Sequence, residues 1–245
     1  MTGRQDHISP RTLAHMAGWL YVITIAGGLF AEFYVAGKLI VSSDAKATAA
    51  NILASEALFR MAIVSEIALV AAYVGVSLLL YMLLRPVSKS LALTSVFFAT
   101  IGNMLWTVGS FFQLEALRLL HAGTALSAFN ADQLQAFALQ SIKMHDTALS
   151  VGMVFFGIYC IILGILLFTS GYFPKAIGVI LAVGGVFDVL NEIVAFGAPA
   201  LSNALPDWVQ LPGFIGELAL TVWLIVVGLN LEEWASTSQD TFGHR

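Results

Sequence analysis

Long apolar runs set the terms for this chain. Six stretches, each close to the ~20 residues that a helix needs to cross a hydrocarbon core, alternate with short polar segments. They run from about Arg11 to Val35, Leu58 to Leu84, Leu91 to Leu114, Thr147 to Thr169, Pro174 to Gly197 and Pro212 to Leu231. Composition agrees, because 11% of the 245 residues are charged and the mean hydropathy is +0.88, whereas soluble domains carry about 25% charged residues. The expected fold is all-α: an integral membrane bundle of six transmembrane helices, one domain over residues 1–245, whose standing partner is the lipid bilayer. A net charge of −4, spread thinly, points away from nucleic acid. The single cysteine, Cys160, lies in an apolar run and excludes a disulfide framework. The first apolar segment is too long for a signal-peptide core and has no small-residue cleavage site after it, so it is expected to stay as an anchor.

Span boundaries follow local signals. Ser9-Pro10 reads as an N-cap with proline at the first helical position. The second span stops at Arg85-Pro86, and Gly171 caps the fourth before Pro174 opens the fifth. Two linkers look helical. Asp44 to Ala57 has Ile52, Leu53 and Leu58 on one face, the pattern of a helix lying in the interface. Asn130 to Met144 opens with an Asn130/Gln133 capping box and is expected to run on into the fourth span. The short basic segments around Arg85, Lys89 and Lys175 fall on the same side as the N-terminus. Both termini are therefore expected on the cytoplasmic side. Trp208 and Trp234 mark opposite ends of the sixth span, where an aromatic belt belongs.

Five carboxylates interrupt the apolar stretches: Glu32, Glu66, Asp188, Glu192 and Glu217. Left ionised in lipid, they would cost roughly 12–18 kcal/mol together. They must face one another, a watery cavity or a cation, or carry a proton. Threading the helices with alternating orientation puts all five between the bilayer centre and the outer face. Arg60, His145 and Asp146 fall in the same half. The third span adds a stripe of Thr100, Asn103, Thr107 and Ser110 that continues to Gln113, and the fifth places Asn191 beside Asp188 and Glu192. Much of the stripe reads equally as hydrogen-bond glue between helices, worth ~0.6 kcal/mol per contact. A spacing of six keeps Arg60 from meeting Glu66 on one helix face, so its expected partner is Glu32, Asp188 or Glu217 on a neighbour. The candidate ligand- or ion-binding residues are Glu66, Asp188, Glu217, Glu32, Glu192, Asn191 and Asn103, with Arg60 and His145 as charge partners.

Other chemistries find little footing. Zinc sites want several His or Cys ligands, and His145 is the one imidazole within the acidic set, so no metal centre is assigned. Oxygen ligands are plentiful enough for a hard cation. No G-x-S-x-G, H-E-x-x-H, P-loop or dinucleotide fingerprint occurs, and no mid-span lysine is available for a Schiff base. No cofactor is expected.

Ala17-Gly18-Trp19-Leu20-Tyr21, Phe30-Ala31-Glu32-Phe33, Ala47-Thr48-Ala49-Ala50-Asn51-Ile52 and Leu58-Phe59-Arg60 recur in order, followed by Phe155-Phe156-Gly157 and Leu163-Gly164. Ser170-Gly171-Tyr172-Phe173-Pro174-Lys175, Gly178-Val179, Gly216-Glu217-Leu218 and Trp223-Leu224 complete the series. From Ala14 to Asn230 the chain thereby resembles a bacterial family of small multi-pass membrane proteins, domain of unknown function 4386. The resemblance implies a fold and a membrane address, the cytoplasmic (inner) membrane of a bacterium, but no activity. It also implies that Glu32, Arg60, His145 and Glu217 fall at positions that tend to be polar. Members carry a basic residue early in the third span, where this chain has Ala99 and Thr100. The function expected from the residues is binding or transport of a small solute or cation linked to protonation. The alternatives are a membrane sensor or assembly factor that binds a partner, and then an intramembrane enzyme acting on a lipid.

Overall fold

A computed structural model describes residues 8–202 and 211–242. Helix α1 (Pro10–Leu39) is capped by Ser9, whose Oγ accepts from the Thr12 amide at 3.1 Å. It is α-helical to Gly28, π-helical over Leu29–Val35, and α-helical again over Ala36–Leu39. Helix α2 (Ala45–Ala54) is the first helical linker, N-capped by the Asp44 carboxylate. Its Asn51 donates to the Leu39 carbonyl at 3.2 Å, satisfying an acceptor left open at the end of α1. Ile52 is buried whereas Leu53 is exposed, so the two do not share a face as the spacing suggested.

Helices α3 (Glu56–Leu84), α4 (Lys89–Leu120), α5 (Ala131–Ser170) and α6 (Lys175–Gly197) follow. The second helical linker is continuous with the fourth span in α5, a single 40-residue helix. The expected capping box closes it: the Asn130 amide donates to Gln133 Oε1 and the Gln133 amide to Asn130 Oδ1, both at 2.9 Å. Helix α7, described over Leu211–Val226, stops before the expected end of the sixth span at Leu231. Gly228 adopts φ +78 and donates back to the Trp223 carbonyl, a left-handed cap that ends the helix before Leu231. Helix α8 (Leu231–Phe242) then leaves at a bend of 98°. The Ala198–Leu211 turn lies largely outside the described residues, and Trp208 wholly so.

Five helices are long and apolar enough to cross a membrane, six if the bent α7–α8 pair counts as one span, and no strand occurs among the described residues. Large apolar side chains such as Phe33, Val64, Met104 and Phe111 point outward, as expected where the surroundings are hydrocarbon and not water. The fold is that of an α-helical membrane protein.

The chain divides into two compact units, each drawn from separated segments. One comprises Met1–Val22, Tyr73–Thr100 and Val154–Arg245. The other comprises Ile23–Ala72 and Ile101–Met153. In the first, glycines let backbones touch: a Cβ on Gly164 of α5 would lie 2.5 Å from the Gly178 carbonyl oxygen of α6, and one on Gly157 2.7 Å from that of Gly185. Leu163, Leu166, Leu167, Leu181, Leu220 and Leu224 fill its core. In the second, Ala31, Val35, Ile52, Phe59, Leu117 and Ile142 form a separate core.

Candidate functional site

The acids form two groups, one in each unit. In the unit built from Ile23–Ala72 and Ile101–Met153, four elements converge on a polar chain of side chains. Glu66 on α3 is buried, with Oε1 accepting from Gln113 Nε2 at 2.7 Å and Oε2 from Ser110 Oγ at 3.3 Å. Ser110 and Gln113, three apart on α4, present both donors to it from one face. The same Gln113 nitrogen lies 3.0 Å from His145 Nε2 on α5, and that imidazole nitrogen is 3.5 Å from Glu32 Oε1 on α1. The order is therefore Glu66, Gln113, His145, Glu32.

Local sequence explains the convergence. Glu32 sits inside the π-helical segment, whose wider turn re-aims side chains and which is found often at functional sites. One turn earlier, Gly27 permits close approach to α3: a Cβ there would lie 3.2 Å from both the Ser65 carbonyl oxygen and Leu69 Cβ. Gly109 makes room for the imidazole, since a Cβ would lie 2.9 Å from His145 Nδ1. Gly152 lets α5 approach Gly102 of α4, since a Cβ on Gly152 would lie 3.1 Å from the Gly102 carbonyl oxygen.

A cavity of about 260 Å³ opens beside the chain, lined among others by Glu32, Gln113, His145, Asp146, Phe59 and Ile142. At about 30 Å³ per water, it has room for several waters or one small solute. Two polar atoms in this buried set, Gln113 Oε1 and His145 Nδ1, have no hydrogen-bond partner among the described residues. Such groups in a buried site ask for an explanation, commonly a water or an ion.

The hydrogen bonding has two self-consistent forms. With the Gln113 amide nitrogen inward, it donates to ionised Glu66 and to His145 Nε2, whose ring proton then sits on Nδ1. Turned over, the amide oxygen accepts from a protonated Glu66 and from His145 Nε2–H. The two forms differ in proton content and are related by a half-turn of the amide.

The second group belongs to the other unit. Glu217 on α7 accepts a short hydrogen bond from the Tyr73 hydroxyl on α3. Tyr73 packs edge-on against Tyr21, Phe156 and Tyr159, and the Tyr21 and Tyr159 hydroxyls meet at 3.1 Å. Asp188 on α6 is buried over the first turn of α7, with Oδ2 2.7 Å from where a Cβ on Gly213 would stand. A carboxylate at a helix N-terminus is stabilised by the dipole, which gives Asp188 a structural role. Glu192 is buried and accepts from Asn191 Nδ2 at 3.2 Å.

Arg60 differs from expectation. It is exposed and pairs with Glu56 one turn back on its own helix, Nε to Oε1 at 2.7 Å, instead of meeting an acid on a neighbour. Glu56 also meets His121 Nε2 at 3.1 Å. A same-helix partner at i−4 needs no rearrangement of packing to reach. Asn103 is buried with Nδ2 unpartnered among the described residues, and it does not line the cavity. Thr100 and Thr107 are exposed and bond carbonyls four residues back, so the third-span stripe splits between two faces. Gln113 and Ser110 are the residues the sequence undervalued. Their i, i+3 spacing at the end of the stripe was the available signal.

Long apolar helices, polar interiors and glycine-mediated crossings define a multi-pass α-helical membrane protein. Within that class the chain belongs to the family described as Domain of unknown function (DUF4386), whose model matches residues 16–228. A chain from Archaeoglobus fulgidus, described as an uncharacterized protein, is 27% identical over 164 residues, covering 67% of this chain and 82% of that one. No solved structure matches.

Proposed function

We propose that this protein binds, and moves across the membrane, a small cation or cationic solute in exchange for protons, with Glu66 as the proton-carrying group. The observation that carries this reading is Gln113, which bridges Glu66 and His145 beside the cavity. A positive ligand entering past Asp146 and Glu32 favours ionised Glu66. Its departure favours protonation and the overturned amide. Each state then gives Glu66 a hydrogen-bond partner matched to its protonation, so the cycle avoids an uncompensated buried charge there. Asp188 and Glu217 take positions of lesser weight, because helix-terminus and tyrosine contacts already account for them.

We place the protein in a cytoplasmic membrane with both termini inside, a reading supported by the short basic segments at Arg85–Lys89 and Lys175.

Proteoliposomes carrying an entrapped pH dye test the proposal. Adding monovalent and divalent cations outside should drive proton efflux with the wild type. Glu66→Gln should lower that efflux at least about tenfold, and Asp188→Asn should leave it within about twofold. No cation-dependent proton movement with the wild type, or full activity in Glu66→Gln, overturns the reading.

A further inference from the structure

We propose that Glu32, Glu66 and His145, completed by the Gln113 amide oxygen, form a binding site for one divalent transition-metal ion. This inference rests on the reading above and names the class of cation it takes.

One ligand atom from each of Glu32, Glu66 and His145 lies within 4.8 Å of the other two. Ligands bonded at about 2.0–2.2 Å stand roughly 3.0–3.4 Å apart around a metal. The Glu32–His145 pair at 3.5 Å is already near that spacing. Glu32 is partly exposed and can swing to close the remaining gaps, whereas Glu66 and His145 are held by burial.

The Gln113 amide nitrogen lies between two of these residues, 2.7 Å from Glu66 Oε1 and 3.0 Å from His145 Nε2, spacings close to those between neighbouring ligands of one ion. Gln113 is 7% exposed, lines the cavity and leaves Oε1 unpartnered among the described residues. Rotation of the amide replaces the nitrogen by that oxygen and supplies a fourth ligand without moving the helix. The π segment that carries Glu32 is an independent sign that α1 departs from regular geometry to bring a side chain here. Positions left open by the four ligands face the cavity, where Asp146 adds negative charge.

Ligand type narrows the ion. Imidazole suits zinc, copper, iron and nickel, whereas all-oxygen sets suit magnesium and calcium. One imidazole with three oxygens therefore fits Mn²⁺, Fe²⁺, Co²⁺ or Zn²⁺ ahead of Na⁺, Mg²⁺ or Ca²⁺. No metal-ligand spacing is visible along the chain because the ligands come from four separate helices.

The test uses the full chain, purified in detergent and stripped with chelator, titrated with Co²⁺ alone. The expected result is one equivalent bound, with visible absorption bands characteristic of nitrogen and oxygen ligation. Glu32→Gln and His145→Ala should each weaken binding on the order of 100-fold, at least the upper end of what loss of an outer-shell partner does. Thermal unfolding of each variant without metal identifies any that has lost its fold, and Glu32→Gln, at a partly exposed position, keeps the comparison valid. Glu56→Gln, which removes the surface acid beside His121, should leave binding unchanged. Absence of stoichiometric Co²⁺ in the wild type, equal binding by folded Glu32→Gln, or displacement by equimolar Ca²⁺ overturns the metal site. Proton exchange driven by a monovalent or organic cation, without Co²⁺ binding, also overturns the metal site while leaving the transport reading intact. Stoichiometric Co²⁺ sensitive to Glu32 and His145, without proton exchange, upholds the site and overturns transport.

Discussion

Tyr73 illustrates how a polar atom is accommodated in an apolar interior. Its ring is enclosed by Tyr21, Phe156 and Tyr159, and its hydroxyl serves Glu217. Tyr73→Phe should therefore destabilise the protein by about 1–3 kcal/mol, the cost of a buried polar group left without its partner. Adding Glu217→Leu should recover much of the loss, since removing both members takes away the unmet demand along with the bond. Thermal unfolding of the two variants in detergent measures this. Glu217 stood out in the sequence because a charge in an apolar run is conspicuous. Tyr73 did not, because tyrosine passes as apolar and the two are 144 residues apart. Glu66 was visible for the same reason as Glu217. Its donors Ser110 and Gln113 blended into a stripe that also contained Thr100 and Thr107, whose hydroxyls only bond their own helix.

Among the elements, those specified by neighbouring residues were legible and those specified by distant contacts were not. The Ser9 cap, the Asn130/Gln133 box and the stop at Arg85-Pro86 all depend on atoms within one helical turn, and all appear in the structure. The π segment over Leu29–Val35 has no such short-range signature; the close approach at Gly27 shows that packing against α3 shapes this part of α1. The glycine pairs Gly27-Gly28 and Gly184-Gly185 both serve as contact points between helices. A contrast between two glycines checks this role. Gly164→Ala places a methyl 2.5 Å from a backbone oxygen of α6 and should cost about 1–3 kcal/mol through overpacking. Gly37→Ala meets nothing within 4 Å and should be neutral or stabilising by up to about 1 kcal/mol, from helix propensity. Unfolding midpoints of the two variants, compared in the same detergent, give the answer.

For the whole molecule, the parity of the crossings decides the side on which α8 emerges. With six crossings the two ends share a side. Reporter fusions after α8 should accordingly behave as cytoplasmic, active for a fluorescent protein and inactive for a phosphatase that needs export. The sequence could count apolar residues, but it could not see that Gly228 takes a left-handed turn and bends the last pair by 98°. That bend turns α8, whose first turn carries Glu232 and Glu233, nearly at right angles to the described part of α7, Leu211–Val226. A helix of that polarity suits the lipid–water boundary and not the hydrocarbon. The charge of the headgroups at that surface thereby becomes a variable to which this protein responds.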